Sequence, residues 1–339
     1  MTLDVFGWAA DDTGCGWYRL RMPLDQLAAQ YGLATATAID MLRPNTTSSV
    51  PQGPDAVDSR IVIGQRVCGG PPSWLWQAMA RDNRTLVYEV DDDLENLDES
   101  NPNHQFFQIP GVRANYRQNI AVAKRVLCST EPLAERLREH HSDVRVVGNY
   151  VPAWLLEHEH PRRALATIGW AGSWTHAADM TALGRELAGV LARNQQVGVS
   201  MMGTDYSDIL GLRRGYRLRF TPWSDIETYW RSIDFDIGVI PLADTPFNRA
   251  KSAIKAVELA ALGIPVIASD TGPYPSVVEH GKTGFLAKSP REFGRYLHEL
   301  IGDRGLRAEM GAAARERARG WTIEANAWRW HEALKGLMS

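Results

Sequence analysis

The chain of 339 residues is longer than one hydrophobic core usually supports, so its length favours two domains of roughly 150 residues each. With 44% hydrophobic and 23% charged residues, the composition is that of a globular protein and excludes a disordered or fibrous chain. The formal net charge of -3 argues against a protein that binds along a nucleic-acid backbone, for which a basic domain is expected.

The three cysteines, Cys15, Cys68 and Cys128, lie far apart and show no CxxC or CxxH spacing. Together with nine histidines that share no consistent spacing, they predict a reduced, cytoplasmic protein without a metal site. No apolar run approaches the roughly 20 residues of a membrane span. The N-terminal segment also lacks the basic and apolar regions of a signal peptide, so we expect neither membrane insertion nor export.

Short apolar runs alternate with helical stretches in the first half of the chain, a pattern typical of a parallel sheet covered by helices. Strands are predicted at Leu3–Trp8, Ile61–Gly64, Leu86–Val90 and Val126–Ser129. Helices are predicted at Tyr18–Tyr31, Ser73–Arg81, Val112–Arg125 and Pro132–His140.

The periodicity weakens over residues 146–163, where prolines, histidines and charged residues interrupt the apolar pattern. A second alternating series follows, with strands predicted at Ala166–Ala171, Val197–Met202, Tyr216–Phe220, Ile237–Pro241 and Pro265–Ser269. We therefore predict an N-terminal α/β domain over residues 1–150 and a second α/β domain over residues 151–320. A C-terminal helix over residues 321–339 is expected to pack back toward the first domain.

The stretch from Asn248 to Leu262 is predicted to form one helix after a buried strand of the second domain. Ligands in doubly wound sheets bind outside the carboxyl ends of strands, where helix N-termini attract anions. Two of the six lysines, Lys251 and Lys255, would share one helix face with Glu258. This face would suit a diphosphate and a sugar or ribose hydroxyl, whereas a surface ion pair between Lys255 and Glu258 is the alternative.

The run VELAALGIPVIASDTGPYPSVVEHGKTGFLA contains a glutamate, an Ala-rich turn, Gly-x-Pro-Val-Ile-Ala, a Gly-rich loop and Val-Val-x-x-Gly-x-Thr-Gly. This order resembles that of the retaining glycosyltransferases of family 4, which have the GT-B fold: two facing Rossmann-like domains with a cleft between them. The residues that match the family's motif positions are Gly263, Pro265, Gly272, Gly281, Thr283 and Gly284. The resemblance covers nearly the whole second domain and, more loosely, the first.

The resemblance implies that Glu258, as the second glutamate of the family's Glu-x7-Glu motif, binds the donor ribose. Ala250 replaces the first glutamate. The Arg and Lys that bind the diphosphate in the family are absent from the run GWAGSWTHAAD. We therefore expect another set to bind the nucleotide-sugar donor: Gly172, Ser173, His176, Lys251, Ser252, Lys255 and Glu258. Lys251 and Lys255 would stabilise the departing diphosphate.

The turn ADDTGCGWYRL after the first strand corresponds to the family's glycine-rich loop at the cleft. This resemblance makes Gly14, Gly16, Tyr18 and Arg19 candidates for contact with the acceptor or a phosphate. A surface position without such a contact is the alternative for Arg19.

Three aspartates, Asp91, Asp92 and Asp93, directly follow a predicted buried strand. Together with Lys255 they are the candidate catalytic residues. One carboxylate would orient or deprotonate the acceptor hydroxyl, whereas helix capping is the alternative for each. A strand that ends in Asp-x-Asp is also typical of GT-A glycosyltransferases, which hold Mn²⁺ or Mg²⁺ there. The nucleotide-binding signals lie about 160 residues later, which favours the GT-B interpretation.

The predicted function is transfer of a sugar from a nucleotide sugar to an acceptor hydroxyl, with retention of configuration and without a metal or other cofactor. A GT-B nucleotide-sugar epimerase would share the donor domain, and a non-catalytic module would bind the nucleotide sugar without turnover. Both remain alternatives. The acceptor stays open among a protein, a glycan, a small molecule and a modified nucleic acid, as do the donor base and sugar and the oligomeric state.

Overall fold

The computed structural model describes residues 2–39, 58–159, 165–212 and 217–338. Within these ranges the chain forms two six-stranded sheets, each entirely parallel, together with helices. The alternating pattern of the sequence is therefore confirmed as an α/β fold. No helix in the described ranges is long and apolar enough to cross a membrane.

The first sheet contains β1 (Leu3–Trp8), β2 (Thr35–Ala38), β3 (Ser59–Gln65), β4 (Thr85–Val90), β5 (Arg125–Cys128) and β6 (Val144–Val146). Their order is β2-β1-β3-β4-β5-β6. The helices of this half are α1 (Gly14–Gly16), a π-helical turn (Trp17–Arg21), α2 (Met22–Tyr31), α3 (Gly70–Arg81), α4 (His104–Gln108), α5 (Pro110–Val122) and α6 (Glu131–Leu137). All four predicted strands are present, whereas β2 and β6 were not predicted.

The second sheet contains β7 (Thr167–Ala171), β8 (Gly198–Gly203), β9 (Arg217–Pro222), β10 (Ile237–Ile240), β11 (Val266–Ser269) and β12 (Gly284–Ala287). Their order is β12-β11-β10-β7-β8-β9. The helices here are α7 (Ala177–Arg193), α8 (Ile226–Ser232), α9 (Pro246–Arg249), α10 (Ile254–Ala261), α11 (Pro290–Gly302), α12 (Arg304–Ala318) and α13 (Ile323–Leu334). The five predicted strands are confirmed, although Tyr216, the predicted start of β9, lies outside the described residues.

The prediction of one helix from Asn248 to Leu262 is wrong. Helices α9 and α10 are separated by four residues, so Lys251 lies in the connecting segment and does not stack on Lys255 along a helix face. A hydroxyl of the first domain binds this segment, because Thr130 Oγ1 donates to the carbonyl of Ala250 at 2.6 Å. Ala250 itself is buried, which leaves its position no access to a ligand.

Apolar packing continues from one sheet to the other. A single cluster of buried side chains includes Leu20 after β1, Trp230 of α8, Leu262 after α10 and Trp330 of α13. Because this cluster contains residues of both sheets, the two halves share one hydrophobic contact.

The C-terminal helix contacts the first half of the chain. Helix α13 packs against α2, and Arg125 Nη1 donates to the carbonyl of Ala333 at 2.6 Å, which satisfies an orphan carbonyl at the helix end. Just before the helix, Thr322 forms a parallel bridge with Val151. The division of the chain at residues 150 and 320 stays a prediction.

Candidate functional site

The loops after β7 and β8 lie against each other at the carboxyl end of the second sheet. The amide of Gly172 donates to the carbonyl of Met202 at 3.0 Å. Gly203 adopts a φ of 81°, and a Cβ there would lie 2.3 Å from the carbonyl oxygen of Gly172. Only glycine allows this close approach, which fixes the edge of the sheet where ligands of such folds bind.

Lys255 reaches back from α10 to this edge. Its Nζ donates to the carbonyl of Ala171 at 3.1 Å, and a Cβ on Gly172 would lie 2.2 Å from the same nitrogen. Burial lowers the pKa of Lys255, whereas Glu258 raises it and Lys251 lowers it further. The ammonium group therefore occupies the space that Gly172 leaves open.

Lys251 connects the second domain to the first. Its Nζ lies 3.6 Å from Oδ1 of Asp92 and 4.5 Å from the ring centroid of Phe247. Burial raises the pKa of Asp92, but Lys251 and Arg66 outweigh this effect and hold the pKa below its usual value. Asp92 is therefore an ionised carboxylate that faces a lysine across the cleft.

The three aspartates after β4 have different surroundings. Arg66 Nε donates to Asp91 at 2.8 Å and Arg66 Nη2 donates to Asp92 at 3.2 Å, so one guanidinium holds both. Asp93 accepts a hydrogen bond from Asn96 and lies 2.9 Å from Arg136 Nε, both within the first domain. Among the described residues, Asp92 is thus the one of the three whose side chain contacts the second domain.

Glu258 lies on α10 and is only 5% exposed, so its interpretation as half of a surface ion pair is wrong. The hydroxyl of Tyr18 donates to its Oε1, and Trp230 Nε1 donates to the same oxygen at 2.9 Å. Burial raises the pKa of Glu258, whereas Lys255 and the two hydrogen-bond donors lower it. Tyr18 therefore brings the first helical segment of the chain directly to this carboxylate.

His176 lies in a 3-10 turn, Trp174–His176, that leads into α7. Its Nδ1 is 2.8 Å from Oδ2 of Asp179. Burial lowers the pKa of His176 to about 4; Asp179 opposes this shift, and Lys255 reinforces it. His176 is therefore a neutral ring beside the two lysines, and its predicted part in donor binding stays a prediction.

The remaining predicted donor residues, Ser173 and Ser252, both belong to this edge. Ser252 Oγ accepts a hydrogen bond from Asn149 Nδ2 at 2.9 Å, which ties the segment before α10 to the chain between the two sheets. Ser173 is exposed, and its Oγ lies 3.0 Å from the hydroxyl oxygen of Thr175. The hydroxyl of Ser173 is therefore accessible from solvent.

The glycines after β1 do not form an open loop. Gly14 and Gly16 bound the short helix α1. A Cβ on Gly16 would lie 1.9 Å from the carbonyl oxygen of Asp11, and its amide donates to Asp11 Oδ1 at 3.2 Å. The missing side chain at Gly16 therefore serves to close a turn against the protein's own backbone.

Arg19 is fully buried, so neither its predicted contact with a phosphate nor a surface position fits the structure. Its Nε donates to Glu89 at 2.6 Å, and its Nη1 donates to Asn149 Oδ1 at 2.8 Å. The guanidinium also lies 5.0 Å from the ring centroid of Trp330 in α13. Arg19 therefore connects β4, the chain between the two sheets and the C-terminal helix.

Four residues of this arrangement were not predicted from the sequence: Arg66, Asn149, Asp179 and Trp230. Of these, Asp179 carried a local signal, because an aspartate three residues after a histidine lies on the same side of a helical turn. The other three reach the site through tertiary contacts.

Sequence comparisons with known proteins find similarity in the second domain in particular. Residues 218–317, which contain both cleft lysines and Glu258, match the family model described as Glycosyl transferases group 1. The D-inositol 3-phosphate glycosyltransferase of Streptomyces avermitilis is 40% identical over 86 residues, which are 24% of this chain and 18% of that protein. The same enzyme of Thermobifida fusca is 29% identical over 139 residues, 40% of this chain and 29% of that protein. The matched segment thus spans less than a third of either relative.

Solved structures match along nearly the whole chain. Sucrose-phosphate synthase from Thermosynechococcus elongatus has a TM-score of 0.73 at 16% identity, with 99% of both chains covered. Anabaena HepE in complex with UDP-glucose has a TM-score of 0.65 at 16% identity, with 98% of this chain and 99% of that chain covered. The chain has the GT-B fold. In this GT-B structure, Lys251 with Asp92 and Tyr18 with Glu258 are contacts between the two domains.

Proposed function

We propose that the chain is a glycosyltransferase that moves a sugar from a nucleotide-sugar donor to an acceptor hydroxyl, with retention of configuration and without a metal ion. The observation that carries the proposal is the contact of Lys251 with Asp92 of the facing domain, while Lys255 and the buried Glu258 interact electrostatically on the same side. The match of the same segment to Glycosyl transferases group 1 supports the reaction class.

The donor diphosphate is assigned to the two lysines. Lys255 is held at the end of β7 by the carbonyl of Ala171, and the backbone of Gly172 lies beside it. A diphosphate here would compete with Asp92 for the charge of Lys251. When the glycosidic bond breaks, the two ammonium groups stabilise the charge that develops on the leaving phosphate.

The donor ribose is assigned to Glu258. Its Oε1 is occupied by Tyr18 and Trp230, whereas Oε2 has no hydrogen-bond partner among the described residues and is not fully enclosed. A ribose hydroxyl can donate to Oε2 without displacing Tyr18. Tyr18 then belongs to the donor site rather than to the acceptor side for which it was a candidate.

The acceptor hydroxyl is assigned to Asp92. Arg66 fixes its carboxylate, and its lowered pKa keeps it ionised, so it can orient the hydroxyl or accept its proton. Asp91 supports the same arginine, and Asp93 is held within its own domain. Retention and independence of a metal are what the resemblance to the family 4 enzymes implies.

The descriptions of two similar proteins narrow the choice of nucleotide-sugar donor. Anabaena HepE was solved with UDP-glucose, and a mycobacterial relative, 38% identical over 76 residues, is described as a GDP-mannose-dependent mannosyltransferase. We therefore infer that a UDP- or GDP-sugar is the donor.

The reaction class can be tested with a panel of UDP-, GDP- and dTDP-sugars, while free nucleotide and sugar identity are followed by chromatography. Release of nucleoside diphosphate together with a glycosylated acceptor supports the proposal. Isomerised donor alone would instead indicate an epimerase, and binding without turnover a non-catalytic module. The same assay with EDTA, and NMR of the product's anomeric proton, test metal independence and retention.

The acceptor can be sought by mass spectrometry of cells that express the protein. Hexose additions that appear with the wild-type chain and disappear with Lys255→Ala would identify acceptor molecules. Proteins, glycans, small molecules and nucleic acids should be searched separately.

A further inference from the structure

The histidine near the two lysines is held by an aspartate that is itself fixed by further hydrogen bonds. Nδ1 of His176 is 2.8 Å from Oδ2 of Asp179, in the first turn of α7. The other carboxylate oxygen of Asp179 accepts from the amide of Ala243 at 2.8 Å and from Asn248 Nδ2 at 3.3 Å. His176 and Asp179 are each 6% exposed.

These contacts determine which ring nitrogen carries the proton. Two donors already point at Oδ1 of Asp179, so the group is bound as an acceptor-only carboxylate. The adjacent Nδ1 of His176 must then be the N–H that donates to Oδ2. In a neutral ring, Nε2 is consequently the unprotonated nitrogen, with its lone pair available.

The surroundings of the ring keep it neutral. Burial is the largest cause of its lowered pKa of about 4, and Lys255 and Lys251 add to the effect. Asp92 interacts with the ring electrostatically from the facing domain, and the hydroxyl of Tyr206 accepts from the backbone amide of His176 at 3.1 Å. In a neutral ring whose proton is on Nδ1, Nε2 can accept a hydrogen bond but cannot donate one.

Nε2 of His176 has no hydrogen-bond partner within the described ranges and is not among the fully enclosed polar atoms. An ionised diphosphate has no hydrogen to donate to it. A sugar attached to a diphosphate between Lys251 and Lys255 would place hydroxyl groups, which are donors, in the same part of the cleft.

We propose that His176 recognises a hydroxyl group of the donor sugar by accepting its hydrogen bond at Nε2, and that Asp179 is the positioning residue that fixes this tautomer. The proposal rests on the proposed function, since it requires a nucleotide sugar in the cleft. It makes the histidine a determinant of sugar specificity and not of diphosphate binding.

The test compares ligands with and without the sugar by calorimetry: UDP against UDP-glucose, and GDP against GDP-mannose. His176→Ala should weaken binding of the nucleotide sugar about 2- to 12-fold, as expected for one lost hydrogen bond, and leave the nucleoside diphosphate unaffected. His298→Ala is the matched control, because His298 is exposed on α11 of the same domain. An equal loss for both ligands would place His176 at the diphosphate and overturn the proposal.

A series of deoxy-sugar donors identifies the hydroxyl. For the donor that lacks the recognised hydroxyl, His176→Ala should cause no further loss, because the interaction is already absent. Additive losses for every deoxy donor would contradict the proposal. If the wild-type protein binds neither pair of ligands, the proposed function itself fails, a result distinct from either outcome for the variant.

Asp179→Asn tests the positioning role. ¹⁵N NMR of labelled histidine should show an unprotonated Nε2 in the wild type and a changed tautomer in the variant, together with the selective loss of nucleotide-sugar affinity. Asp179 has no such role if the variant keeps the wild-type ¹⁵N shifts. The same conclusion follows if the variant loses as much affinity for the nucleoside diphosphate as for the nucleotide sugar.

Discussion

The hydroxyl of Tyr18 donates a hydrogen bond to the carboxylate of Glu258, and so joins the first helical segment of the chain to a helix of the second domain. Trp230 donates to the same oxygen. A buried carboxylate loses its contact with water, and each donor offsets part of that cost. The pair is therefore both an interdomain contact and a means of orienting Glu258.

Tyr18→Phe should lower the free energy of unfolding by about 1–3 kcal/mol, because a buried carboxylate loses one of its two donors. Urea denaturation monitored by circular dichroism measures this. Tyr31→Phe is the matched control, since Tyr31 is exposed and its ring stacks on His331. Equal stability of the two variants would show that the bond to Glu258 contributes nothing.

Lys255→Ala should weaken binding of UDP or GDP about 10- to 100-fold, the usual effect of losing one charge-assisted hydrogen bond to a phosphate. Calorimetry gives the affinity. Lys288→Ala is the control, because Lys288 has a 77% exposed side chain in the same domain. Unchanged binding by Lys255→Ala would refute the assignment of the diphosphate.

Asp92→Asn should separate catalysis from donor binding. Its carboxylate lies 3.6 Å from Lys251, so its neutralisation frees the lysine and should tighten binding of the nucleoside diphosphate a few-fold. Transfer to the acceptor should fall about 100-fold or more, the size expected for a general base. Asp82→Asn, an exposed change in the same domain, is the control. Wild-type turnover by Asp92→Asn would remove Asp92 from the mechanism.

The stability of the protein should depend on His176 between pH 6.5 and pH 4. The unfolded chain protonates this histidine near its ordinary pKa of about 6.5, whereas the folded protein does so only at about 4. The unfolded state therefore binds more protons in this window, and the contribution of His176 to stability, complete above pH 6.5, is lost as the pH falls. His176→Gln should show a weaker decrease in denaturation midpoint over the same window than His298→Gln. Identical pH profiles would contradict this.

Arg19→Met should destabilise the fold by about 3–5 kcal/mol, because it leaves Glu89 buried without its cation. Both side chains of this pair are fully buried, and burial raises the pKa of Glu89 to about 7 even with Arg19 beside it. The double variant with Glu89→Leu should recover part of the loss. Arg81→Met, on the exposed side of α3, should change the unfolding free energy little, and an Arg19→Met variant as stable as this control would disprove the argument.

The two sheets could be predicted from the sequence because their central strands are buried on both faces. In β5, for example, Val126 and Leu127 form an apolar run that is visible in the sequence without knowledge of the neighbouring strands. The edge strand β2, with the sequence TATA and partial exposure throughout, and the three-residue β6 lack this pattern. Their existence depends on pairing with a neighbour that the local sequence does not specify.

The break between α9 and α10 could not be predicted for a related reason. The sequence around Ala250 contains no glycine or proline, and its residues are compatible with a helix. The backbone instead finds partners from the first domain, such as the hydroxyl of Thr130. Tertiary hydrogen bonds thus override local propensity here.

The candidate site could be predicted from the sequence only where its residues are close along the chain. The spacing of the lysines singled out Lys255 and the resemblance singled out Glu258, but their partners Ala171 and Tyr18 come from distant segments. The same limit explains the wrong expectation for Arg19, because no local pattern distinguishes a buried arginine with a distant carboxylate from an exposed one.

The bridge between Val151 and Thr322 bears on how the two domains can move. The chain passes between the sheets twice, and the two passages are bonded together there: the Val151 amide donates to Trp321 at 3.0 Å, and its carbonyl accepts from Ile323 at 2.8 Å. These two hydrogen bonds hold the passages together, so neither passage can slide along the other without breaking them. We expect the two passages to bend together when the angle between the domains changes, and one distance between probes on the two domains would report that change.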